Sequence, residues 1–142
     1  MNDTEKLLSA VHKTANMGIE SLNALIPETQ DSSIKRTLRS QLDSYSSFLD
    51  EAGSGLLMRG QEPKQQGVVN KLMLDMNVKM NAKINQSPSH IAEMMIQGTN
   101  MGIIDVQKAL NNAPEAAKEA KSLAKDLLEF EQNSVDAYKK FL

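Results

Sequence analysis

The residues of this chain best suited to chemistry are a carboxylate, two hydroxyls and an amide set at helical spacing. Glu131 and Ser134 stand three residues apart, and residues three apart share one face of a helix. A helical bundle that holds a pair of metal ions draws a Glu from each of two helices and a Glu-x-x-His from each of the other two. Glu131-x-x-Ser134 has the form of that slot with a hydroxyl in place of the imidazole. With about 100° between successive residues, Gln41 and Thr99 fall on the inward faces of two other helices. Neither is a carboxylate, and one carboxylate without a histidine cannot hold two metal ions. Gln41, Thr99, Glu131 and Ser134 are therefore expected to form a polar layer in the core, with no metal and no cofactor. A carboxyl group so placed must keep its proton or be fully hydrogen-bonded.

The other candidates are weaker. Glu20 falls nearly opposite Leu22 and Val11 on its helix, so water is its expected surrounding, and Asp105 also points away from an apolar face. His12 lies at the margin of such a face and His90 near the start of a later helix; neither follows a Glu by three residues. Both read as structural histidines. There is no cysteine, which removes disulfides, thiolate metal sites and cysteine nucleophiles. No serine sits in a strand-to-helix elbow and no glycine pattern cradles phosphate. Catalysis is not expected; an enzyme using Glu131 as acid or base is the distant alternative.

Charge and composition exclude further classes. Sixteen Lys and Arg are interspersed with eighteen Asp and Glu, for a net charge of −2. That is no basic stripe for a phosphate backbone. Two Tyr, three Phe and no Trp give few platforms for stacking bases. Nucleic acid is not an expected partner. The first twelve residues, MNDTEKLLSAVH, carry charges rather than an apolar run, and no stretch of about 18 apolar residues predicts a transmembrane segment. A cytoplasmic location is the expectation.

The elements that must position these residues are helices. Asp3 or Thr4 can cap a first helix running to about Ile26, before Pro27. Asp31-Ser32-Ser33 offers caps for a second, expected to stop before Gly53-Ser54-Gly55. A third is predicted from about Val68 to Asn85. Ser87-Pro88, a cap followed by proline at the first helical position, opens a fourth that ends at Asn111-Asn112-Ala113-Pro114. A last helix rich in Ala, Lys, Glu and Leu follows. No period-two run bounded by turns predicts a strand.

The chain also repeats itself. Asn-Met-Gly-Ile occurs at 16–19 and again at 100–103, and LDSYSSFL at 42–49 matches VDAYKKFL at 135–142. The matches keep their order and fall on the same member of a helix pair, as duplication of an αα-hairpin predicts. Gly18 and Gly102 share one repeat position. A glycine inside a helix costs about 1 kcal/mol against Ala, so the pair predicts a close approach between helices. The expected organisation is a single domain, with a hairpin over 3–52, a crossover with an extra helix over 53–88, and a second hairpin over 89–142. A crossover helix of about 18 residues spans about 27 Å, enough to return the chain along the bundle. The predicted fold is thus all-α, a ferritin-like four-helix bundle of two duplicated αα-hairpins with a long helical crossover.

The stretch LLSAVHKTANMGIESLNALIPETQDSSIKRTLRSQL resembles the first hairpin of ferritin-like proteins of the bacterial spore coat protein F type, and the last helix has a similar cadence. The likeness covers the paired helices, about two-thirds of the chain. It implies a ferritin-like fold and a spore-associated setting, and no activity.

Nine methionines suit irregular helix contacts and adaptable interfaces. Met94, Met101 and Ile104 form a second stripe on the fourth helix, away from its core face. Val69, Leu72, Met73, Met76, Met80 and Ile84 form a ridge on the crossover helix. The two are expected to cover each other within one chain or to meet a second copy in a homodimer. The function expected from these features is that of a non-catalytic structural or interaction protein; the alternative is a degenerate metal- or ligand-binding bundle.

Overall fold

The computed structural model describes residues 1–63 and 87–142. Four helices account for most of them: α1 (Asp3–Leu25), α2 (Ser32–Leu57), α3 (Pro88–Asn111) and α4 (Lys118–Lys139). No strand occurs among the described residues. The crossover helix expected over 68–85, with Met73, Met76 and Met80, lies outside them.

Local chemistry sets the helix ends. The first cap is Asn2, one residue ahead of those expected. Its side chain accepts from the Glu5 amide at 2.9 Å while the Glu5 carboxylate accepts from the Asn2 amide at 3.2 Å, so two otherwise orphaned donors are satisfied together. Ile26–Glu28 forms a single 3-10 turn around Pro27. Asp31 caps α2 by accepting from the amides of Ser33 and Ile34, both at 3.0 Å, and Ser87 caps α3 through the His90 amide at 3.2 Å.

The end of α2 departs from expectation. The helix continues through Gly53-Ser54-Gly55 to Leu57, because this last stretch buries Ala52 and Leu56. Leucine burial stabilises by about 2 kcal/mol, which offsets the propensity cost of two glycines. The glycines also admit α1. A Cβ on Gly55 would lie 2.9 Å from Leu8 Cδ1, and one on Gly53 would lie 3.7 Å from the His12 ring. The chain turns instead at Gly60, whose φ of 72° favours glycine.

α1 pairs with α2 and α3 with α4; α1 also meets α3 and α4, and α2 meets α4. Leu8 beside Gly55 and Gly18 beside Tyr45 make α1 and α2 antiparallel. The Asp3 carboxylate and the Thr4 hydroxyl accept from the amides of Glu115 and Ala117 at 2.9 and 2.7 Å. The starts of α1 and α4 therefore lie at one end of the bundle and the two helices run in parallel. It follows that α2 and α3 run in the same direction. The core lies where the inward faces of the four helices meet: Val11, Ala15, Leu22 and Leu25 of α1, Ile34 and Leu38 of α2, Ile91 and Val106 of α3, and Leu127 of α4 are fully buried.

Candidate functional site

The polar residues predicted for the core are all buried: Gln41, Thr99, Glu131 and Ser134 are between 1 and 6 % exposed. They do not form one network. The Tyr45 hydroxyl donates to Glu131 Oε2 at 2.9 Å, with Thr99 beside Tyr45. The Tyr138 hydroxyl donates to the Gln41 side-chain oxygen. Ser134 turns back on its own helix and donates to the Phe130 carbonyl at 2.8 Å. Both tyrosines stand in the core, 3 and 0 % exposed. Only the geometry reveals that each sends its hydroxyl across from one hairpin to the other.

Glu131 is the centre of this arrangement. It is 1 % exposed, and its Oε1 atom is buried without a hydrogen-bond partner. Burial pushes its carboxyl up to about 8, the Tyr45 hydrogen bond pulls the other way, and the nearby Asp105 carboxylate adds to the rise. Glu131 therefore holds its proton at neutral pH. Burial and the Glu131 charge together push the Tyr45 hydroxyl well above its ordinary value, so it remains a donor.

A groove between α1 and α3 leads to this carboxyl group. It offers about 180 Å³ and is lined by Thr14, Met17, Gly18 and Ser21 from α1, and by residues from Met94 to Asp105 of α3, with Tyr45 and Glu131 among its lining. The two repeated glycines make it possible. A Cβ on Gly102 would sit 2.5 Å from Glu131 Oε2 and 3.1 Å from Thr14 Cγ2. A Cβ on Gly18 would sit 2.8 Å from three carbons of the Tyr45 ring. Both positions are close approaches, as expected, but the neighbours differ: a ring on one side, a carboxylate on the other.

The remaining candidates lie apart from Glu131 or at the rim. Asp105 is exposed at the groove edge, while Glu20 is half-buried rather than fully in water. His12 is buried beside Gly53, and burial lowers its pKa. His90 places Nδ1 3.8 Å from Glu93 at the start of α3. Neither histidine lines the groove. Among the described residues no group of three or more His, Asp or Glu could hold a metal ion, and no described helix is long and apolar enough to cross a membrane. Of the predicted interface, Met94 lines the groove and is half-buried, while Met101 and Ile104 are 53 and 52 % exposed.

No family model, curated protein or solved structure matches the chain.

Proposed function

We propose that this chain is a ferritin-like bundle that acts by binding rather than by catalysis, with the groove between α1 and α3 as its binding site. The observation that carries this reading is Glu131, which lines an apolar groove and whose Oε1 atom is buried without a hydrogen-bond partner. A buried polar atom left unpaired costs about 1–3 kcal/mol, and a ligand that satisfies it recovers that energy. The duplicated motifs and the hydroxyl in the Glu-x-x-His slot support descent from a metal-binding bundle that has lost its ligands. A spore-associated setting is part of the same proposal, on the strength of the hairpin resemblance.

Nuclear magnetic resonance of methionine methyl groups tests the binding role. Met17, Met94 and Met101 line the groove, so a fragment library should yield ligands that shift these signals together. A library that shifts none of them refutes the groove as a site. Stoichiometric iron, manganese or zinc in protein purified without chelators refutes the loss of metal binding.

A second reading accompanies the first. The exposure of Met101 and Ile104 on one face of α3 favours a homodimer in which a second copy covers them.

A further inference from the structure

We infer that the groove is a site for a primary ammonium ion on a short apolar tail, with the Glu131 carboxylate as its counter-ion. The inference rests on the groove being a binding site and goes on to specify the ligand. Four features of the lining select this chemistry. Glu131 lines the groove and its Oε1 atom is buried without a partner; once ionised, that oxygen accepts hydrogen bonds, which a ligand carrying N–H supplies. A second acid, Asp105, stands at the rim, while among the described residues no Lys, Arg or His lines the groove. Anions are therefore repelled and cations attracted. Tyr45, whose hydroxyl bonds Glu131, also lines the groove, and an aromatic ring within about 6 Å attracts an ammonium group. Met17, Met94, Met95 and Met101 stand in the walls, and methionine adapts to an alkyl chain. The size fits as well: about 150 Å³ suffices for a molecule of six heavy atoms such as benzene, against about 180 Å³ here.

Proton balance follows from the groups around Glu131. They are Tyr45 from α2 and Asp105 from α3, with Tyr138 of α4 coupled to Tyr45; the α1 lining of Thr14, Met17, Gly18 and Ser21 has nothing that titrates. Among the described residues none of these groups supplies a positive charge. The free site is a neutral carboxylic acid at pH 7, and an entering ammonium ion converts it to the carboxylate. One proton passes from Glu131 to solvent for each ligand bound.

The test compares three probes of one shape: n-pentylamine, n-pentanol and pentanoate. Each is titrated into the full chain, with the methyl signals of Met17, Met94 and Met101 as the site readout. Calorimetry in two buffers of different ionisation enthalpy counts protons. The amine should bind about tenfold or more tightly than the alcohol at pH 8, the margin of a charge-assisted over a neutral hydrogen bond. Its affinity should fall about tenfold per unit as pH drops from 8 to 6, with proton release, while that of the alcohol stays level. Glu131→Gln should abolish the preference for the amine. Asp105→Asn, an exposed change that leaves the core intact, should reduce it. Equal or stronger binding of pentanol or pentanoate with the same methyl shifts overturns the ammonium assignment but keeps the groove as a site. No methyl shift with any probe overturns both.

Discussion

Glu131 makes the stability of the whole domain depend on pH in a defined direction. Its folded pKa of about 8 lies above the ordinary value of 4.5. Below about 4.5 the group is protonated whether the chain is folded or not, and it imposes no penalty. Between these values the unfolded chain ionises while the folded one holds its proton, so stability falls by about 1.4 kcal/mol per pH unit. Above about 8 the loss is complete. Glu131→Gln removes it. The variant should be more stable than the parent by a few kcal/mol at pH 9 and closely matched at pH 4, measured by urea unfolding. An equal difference at both pH values would show that the gain is not a matter of ionisation. Tyr45→Phe leaves Glu131 Oε2 without its donor. It should cost about 1–3 kcal/mol at neutral pH and raise the carboxyl pKa further, which a carbon-detected titration of Glu131 would read. The burial of Glu131 was legible from its place three residues before Ser134 on an apolar stripe. Its partner was not, because helical spacing reports which residues face inward and is silent on which of them meet.

At the scale of the helix, glycines separate packing from propensity. Gly98 and Gly102 lie one turn apart on α3. Among the described residues nothing lies within 4 Å of a Cβ on Gly98, whereas one on Gly102 meets Glu131 and Thr14. Gly98→Ala should therefore stabilise the protein by up to about 1 kcal/mol through helix propensity alone. Gly102→Ala has the same local gain but must push the carboxylate off Tyr45, and should be destabilising by about 1–3 kcal/mol. Thermal unfolding of the two variants side by side would decide it, and two changes of the same sign and size would contradict the contrast. The repeated Asn-Met-Gly-Ile pointed to Gly102 correctly. The same rule misled at Gly53 and Gly55, read as a helix end, because what extends α2 is the burial of Ala52 and Leu56 against the rest of the core. Tertiary packing of that kind leaves no local mark.

Across the whole molecule, the homodimer proposal predicts a mass. The double change Met101→Lys with Ile104→Lys places two charges where the structure has exposed apolar side chains. Sedimentation should give twice the chain mass for the parent and the single chain mass for the variant; a monomeric parent rules the dimer out. The all-helical class and most helix ends were legible in the sequence, because caps and apolar spacing are local signals. The position of one hairpin against the other was not. It rests in part on the two tyrosine bonds, which run between α2 and α4 in opposite senses, Tyr45 to Glu131 and Tyr138 to Gln41. Apolar contacts have no direction, so leucine and alanine faces alone accept many translations of one helix along another. A hydrogen bond works only over a few tenths of an ångström, while a shift by a single residue moves a helix about 1.5 Å. Sliding α4 along α2 would break both bonds at once. The two tyrosines thus act as a vernier that selects one alignment of the hairpins, and with it the depth at which the Glu131 carboxyl sits beneath the groove.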